Sequence, residues 1–221
     1  MELQQTAVIA STDTSRTQKY SSSIRLWHWA NALIITGSLL TVLVNATVLK
    51  PWINAGLIAD KLKEKGINVT DDQTRSAAFV LSDRVWAIHT YFGYALIGLF
   101  LFRLAIELFG LADKTLINKI GAAKRSFLST KEKRGASRNE MLIKTSYAVF
   151  YVLLMVMVVT GLALAFRDNI PALRSMHFIK EIHGFTMYLI LGFIVIHLAG
   201  VFIGERKEHK GIVSDMINGG I

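Results

Sequence analysis

Four long apolar windows constrain this chain more than any other feature. Ile24 to Leu49 holds one Lys or Arg, Arg25 at its edge, and is otherwise free of charged side chains apart from the titratable His28. A helix rises about 1.5 Å per residue, so the roughly 30 Å hydrocarbon layer of a bilayer takes about 20 residues. Windows of that length recur at Val85 to Phe109, Leu142 to Phe166 and Lys180 to Ile203. Arg103 and Glu107 lie one turn apart near the end of the second window, and Lys180 and Glu181 open the fourth, positions from which side chains can reach the interface. A hydrophobic share of 52% and a mean hydropathy of +0.41 are too high for a surface that must face water. These features predict an all-α integral membrane four-helix bundle rather than a soluble one.

Residues 1–23 are mainly polar, and the span behind them is longer than the apolar core of a secretory signal, so the first span is expected to be retained. The expected organisation is a flexible cytoplasmic tail over 1–23, a membrane domain over 24–204, and a second cytoplasmic tail over 205–221. Lys and Arg total 25 against 16 Asp and Glu, a formal charge of +9. Eight of those cations fall between the second and third spans: Lys114, Lys119, Lys124, Arg125, Lys131, Lys133, Arg134 and Arg138. Cationic flanks resist translocation, which puts that loop, and with four spans both termini, in the cytoplasm. The charge is therefore a topology signal and nucleic acid drops out as a partner. The opposite side carries a long segment, Lys50 to Arg84, which Pro51, Gly56 and Gly66 are expected to break, with a short helix over Leu57 to Lys65.

The chain has no cysteine, which excludes disulfides, cysteine-ligated iron-sulfur clusters, zinc knuckles, thiol nucleophiles and c-type haem attachment in this polypeptide. It has six histidines, and four lie within spans: His28, His89, His183 and His197. An ionisable group in a membrane helix is a functional hypothesis by default. His183 and His197 are 14 residues apart, so they return to within about 40° of one helix face after roughly 21 Å of rise. With the topology above, His28 and His197 both lie near the cytoplasmic face, and His89 and His183 both lie near the other. A single histidine of this kind often just bonds a neighbour's hydroxyl or carbonyl. Four of them in two depth-matched pairs instead suit the axial ligands of two b-type haems, His28 with His197 and His89 with His183. Zinc or di-iron centres need further ligands that these spans lack. His177 and His209 fall outside the pairs and are expected to be solvated or partner-facing.

Gly37, Gly93, Gly161, Gly184, Gly192 and Gly200 recur where helices must approach or a flat macrocycle must fit; Gly93, one turn past His89, is assigned to haem packing. Arg25, Arg103 and Lys144 are cations expected near the cytoplasmic haem, where propionates or a quinone head group favour positive charge. Positive-inside anchoring competes with that role for Arg25 and Lys144, and an i,i+4 ion pair with Glu107 competes for Arg103.

Together these residues resemble a known family, the di-haem b-type cytochrome subunits of bacterial membrane-bound nickel-iron hydrogenases, within a wider group that includes formate dehydrogenase gamma subunits. The resemblance rests on Ile24-Arg25-Leu26-Trp27-His28-Trp29, on His89 followed by Gly93, Arg103 and Gly110, on Thr160-Gly161, on the His183 to His197 spacing, and on Met216-Ile217-Asn218-Gly219. It covers residues 22–219, with poor alignment in both long loops and Thr36-Gly37 displaced. It implies an electron-transfer subunit of a quinone-reducing respiratory complex in the bacterial inner membrane. The implied partners are the hydrogenase small and large subunits, or another iron-sulfur donor, together with quinone and membrane lipid, and a homodimer within the larger complex is compatible with it. Electrons would enter at the haem of His89 and His183 and leave from that of His28 and His197 to a quinone, for which Arg103, Glu107 and the Trp27 to Trp29 region are candidates. Two readings compete: a stand-alone di-haem quinone-linked oxidoreductase such as a superoxide oxidase, and a haem-free scaffold or transporter in which the histidines only pack.

Overall fold

The protein is described from a computed structural model that covers residues 21–108, 134–207 and 211–219, with side chains except at 108, 134–144 and 207. The described residues form helices and no strand: α1 (Ser22–Thr47), α2 (Pro51–Glu64), α3 (Asp71–Leu108), α4 (Arg134–Ala165), α5 (Pro171–Arg174), α6 (Phe178–Lys207) and α7 (Ile212–Asn218). Four of them, α1, α3, α4 and α6, are long and apolar enough to cross a membrane. Most of the tail over 1–23, Gly110, Lys114, Lys119, Lys124, Arg125, Lys131, Lys133, His209 and the side chains of Arg134, Arg138 and Lys144 lie outside the described residues.

The outward faces explain the solvent. Leu26 is 69% exposed, Leu33 73% and Ile196 73%, and many more large apolar side chains are exposed along the same helices. In water such continuous apolar surface would drive association; in lipid it costs nothing.

The segment between the first two spans differs from expectation. Pro51 does not interrupt the chain there but opens α2, where its missing N–H is no loss, and Gly56 lies inside that helix. The helix stops at Gly66, whose φ of +74° suits a residue without Cβ. Its N–H bonds Lys63 O at 2.9 Å while the Ile67 N–H bonds Leu62 O at 3.0 Å. Nor does the next helix wait for Val85. Thr70 and Gln73 cap each other, Thr70 N to Gln73 Oε1 at 2.9 Å and Gln73 N to Thr70 Oγ1 at 3.3 Å. Asp71 and Asp72 then add favourable charge to the first turn. The resulting helix of 38 residues is about 57 Å long, well beyond the hydrocarbon thickness, so its first turns stand outside the bilayer. Thr74, Ala78 and Ser82 form a buried stripe of small residues there, Ala55 of α2 is also buried, and Trp52 meets Phe79 edge to face at 5.8 Å.

The described residues divide into two compact units. One combines the start of α1, through His28, with the chain from Ile196 onward; the other is Trp29–Val195. In the second, α3 and α4 meet through Arg103 and Tyr151, and α4 and α6 through stacked Phe150 and Phe193 at 4.7 Å. In the first, the Glu205 carboxylate receives the Gly211 N–H at 2.7 Å and the Val213 N–H at 3.4 Å, fixing the start of α7.

Candidate haem-ligating histidine pairs

Each of the four span histidines faces the partner expected for it. In the first unit the rings of His28 and His197 have centroids 6.2 Å apart and planes inclined by 56°. In the second, His89 and His183 have centroids 6.4 Å apart with planes at 79°. Two imidazoles on opposite sides of one metal have a natural separation. Two bonds of about 2.0 Å, plus about 1.1 Å from each nitrogen to its ring centre, place the centroids roughly 6.3 Å apart. Both pairs stand at that distance, which is too far for a hydrogen bond between rings. His28, His89 and His183 are half-buried and His197 is exposed, so protein does not seal the space around the pairs. Among the described residues no group of three or more His, Asp or Glu side chains gathers in a metal-binding arrangement. A donor set of two histidines suits a metal whose other ligands arrive with it, as a porphyrin supplies them.

The surroundings of the second pair are equally specific. Thr41 Oγ1 lies 2.9 Å from His89 Nδ1, and Ser38 supplies its carbonyl and hydroxyl oxygens at 3.3 Å. Thr160 Oγ1 lies 2.9 Å from His183 Nδ1. The ring of Trp86 stands edge-on to His89 at 5.4 Å. Trp86 also borders a cavity of about 450 Å³ lined by Asn45, Trp52, Phe79 and Ser82. Asn45 is 8% exposed, and both of its amide atoms are buried with no hydrogen-bond partner among the described residues. An orphaned amide lining that cavity fits a site that receives a bound group with polar edges.

Gly161 has a reason in the protein itself: a Cβ there would sit 3.2 Å from His183 Cε1, so the glycine admits the imidazole against α4. At Gly93 a Cβ would meet nothing within 4 Å, so no described side chain accounts for that glycine. Arg25 is directed at the C-terminal helix, donating from Nη1 to Ile217 O at 2.8 Å and from Nη2 to Ser22 Oγ at 3.2 Å. Arg103 pairs with Glu107 at 3.3 Å, and its Nε donates to the Tyr151 hydroxyl at 2.8 Å. Trp27 is buried and Trp29 is 46% exposed. His177 is exposed in the loop before α6, where Arg167 Nη2 donates to its Nδ1 at 3.4 Å.

The profile of the prokaryotic cytochrome b561 family matches residues 19–219. This chain belongs to that family. Comparison with curated proteins and with solved structures gave no match. As a prokaryotic cytochrome b561, it is a membrane b-type cytochrome of transmembrane electron transfer, and haem b is the group its histidines are suited to hold. Sequence reasoning missed Ser38, Thr41, Trp86 and Tyr151 as neighbours of these sites. The Ser38 and Thr41 spacing, i and i+3 on an apolar helix, is a polar stripe that needs a partner, and that was the available signal.

Proposed function

We propose that this cytochrome b561 binds two b-type haems and passes electrons from an extracytoplasmic iron-sulfur partner, of the nickel-iron hydrogenase type, across the bacterial inner membrane to quinone. The observation that carries the two-haem reading is the pair of ring separations, 6.2 Å for His28 and His197 and 6.4 Å for His89 and His183. Haem b bound at such a pair supplies one-electron transfer with no open coordination position. The chain holds the imidazoles on apolar spans and has no cysteine to ligate an iron-sulfur cluster. An iron-sulfur donor would therefore sit on another polypeptide.

The cation count supports a topology with both termini in the cytoplasm, in which α2 and the outer turns of α3 lie on the far side, next to His89 in the chain. Trp52 is 67% exposed there, Leu57 60% and Val80 57%, an apolar surface on elements that extend past the bilayer. That surface supports a docked donor over a stand-alone oxidoreductase. The quinone head group is assigned to Arg103, Glu107 and Tyr151, which offer a cation, a carboxylate and a phenol within one cluster. Reduction there consumes two electrons and two protons per quinone.

A reduced-minus-oxidised spectrum of purified protein is expected to show b-type bands at two haems per chain; their absence would overturn the haem reading. Purification in mild detergent is expected to recover an iron-sulfur protein with the chain. Recovery of the chain alone with full quinone-reducing activity would instead establish the stand-alone oxidoreductase.

A further inference from the structure

Thr41 and Thr160 approach the two histidines of one pair in the same way, and the direction of their hydrogen bonds can be worked out. The Thr160 hydroxyl has one proton. Its oxygen lies 2.7 Å from the carbonyl oxygen of Val156 and 3.3 Å from that of Met157, groups that only accept. The proton is committed to the helix carbonyl, and only a lone pair is left for His183 Nδ1 at 2.9 Å. That nitrogen must therefore carry the hydrogen. The same holds across the pair: Thr41 Oγ1 lies 2.6 Å from Ser38 O and gives it its proton, so it accepts from His89 Nδ1 at 2.9 Å. Ser38 O, itself 3.3 Å from His89 Nδ1, demands a donor there independently.

We propose that Thr41 and Thr160 are positioning residues that hold His89 and His183 in the Nδ1–H tautomer, present both Nε2 lone pairs to one haem iron, and lower the midpoint potential of that haem. The proposal rests on the di-haem reading above. Its physical basis is that an acceptor on the far nitrogen fixes the ring orientation and makes the ligating nitrogen more basic. A more basic ligand favours the ferric state. Each link is a short relay, imidazole N–H to threonine oxygen and threonine O–H to a helix carbonyl, in which each bond polarises the next. Because the two relays would act on the two histidines that hold one haem, their effects would fall on the same haem.

The test is a redox titration, followed optically and by electron paramagnetic resonance, of the full chain carrying Thr160→Val, Thr160→Ser, Thr41→Val or Thr41→Ser. Valine keeps the branched shape and removes the hydroxyl; serine keeps the hydroxyl. Thr160→Val is expected to raise the potential of one haem and leave the other in place. The reduced-to-oxidised ratio at fixed poise should change roughly two- to tenfold, the scale of one net hydrogen bond, and tenfold corresponds to about 59 mV for a single electron. The ferric resonance of that haem alone should move with it, and Thr160→Ser should restore both. Thr41→Val is expected to act on the same haem with a smaller shift, because Ser38 O remains as an acceptor.

If both haems are present and neither valine variant moves a potential, or if both haems move together, the proposal is overturned. If the unsubstituted chain holds no haem, the functional reading fails instead. The two threonines repeat the test from opposite ligands, so misfolding of one variant leaves the other to decide.

Discussion

Arg25 Nη1 donates a 2.8 Å hydrogen bond to the carbonyl oxygen of Ile217, joining the first helix to a residue 192 positions later. At the other end of the same short helix, Glu205 receives the N–H groups of Gly211 and Val213. A cation at the carbonyl end and a carboxylate at the amide end both oppose the helix dipole. Arg25→Ala should therefore cost about 1 kcal/mol locally, a roughly fivefold rise in the open fraction of Ile212–Asn218. Hydrogen exchange of those amides measures it. Unchanged protection would mean that the clasp contributes nothing.

The histidine pairing makes a prediction that single substitutions cannot. His28→Ala and His197→Ala should each remove one haem per chain, and the two together should remove no more than either alone. His28→Ala combined with His183→Ala should remove both. Haem content of the purified protein, read from its absorption spectrum, distinguishes this pattern from four independent histidines.

The four spans were legible because the bilayer sets a length that composition alone can meet, and the histidine pairs because 14 residues along α6 return to nearly the same face. The start of α3 was not legible from hydropathy. Its outer turns bury Thr74, Ala78 and Ser82 and expose Phe79, Val80 and Leu81, the reverse of the apolar pattern that marks a buried helix face. The capping pair Thr70 and Gln73 was the signal that would have located it. Pro51 and Gly56 were read as breakers, although proline is well suited to a first helical turn and a single glycine within a helix costs only about 1 kcal/mol relative to alanine. Arg25 was read as a cation near the cytoplasmic haem or as an interfacial anchor, and sequence distance hides the contact it makes with Ile217.

Gly161 and Gly93 should respond differently to a side chain. Gly161→Ala pushes a methyl group to 3.2 Å from His183 Cε1, so the ring must shift by a few tenths of an ångström. Gly161→Val should dislodge the imidazole and lose the haem of that pair while His28 and His197 keep theirs. Among the described residues Gly93 has no neighbour for a Cβ to meet, so Gly93→Leu should leave the haem-free chain as stable as before. Loss of haem from Gly93→Leu with unchanged detergent stability would assign that glycine to the macrocycle; retained haem would refute the assignment.

The cluster of Arg103, Glu107 and Tyr151 allows structural and functional roles to be separated. The ion-paired side chains of Arg103 and Glu107 are only 14% and 21% exposed. Removing the cation alone takes from Glu107 its charge partner at 3.3 Å within a membrane span. Arg103→Leu should therefore destabilise the protein by about 2 kcal/mol, and Arg103→Leu with Glu107→Leu should recover most of that loss, since apolar replacement of a buried pair is often neutral. Quinone reduction should fall in the single variant and stay low in the double one, because a leucine pair cannot hold a quinone oxygen or deliver a proton to it. Tyr151→Phe, which leaves the ion pair intact, should lower the apparent quinone affinity at a stability cost of about 1 kcal/mol, because Arg103 Nε loses its acceptor. Recovery of full turnover in the double variant would show that the pair serves only the fold and would place the quinone elsewhere.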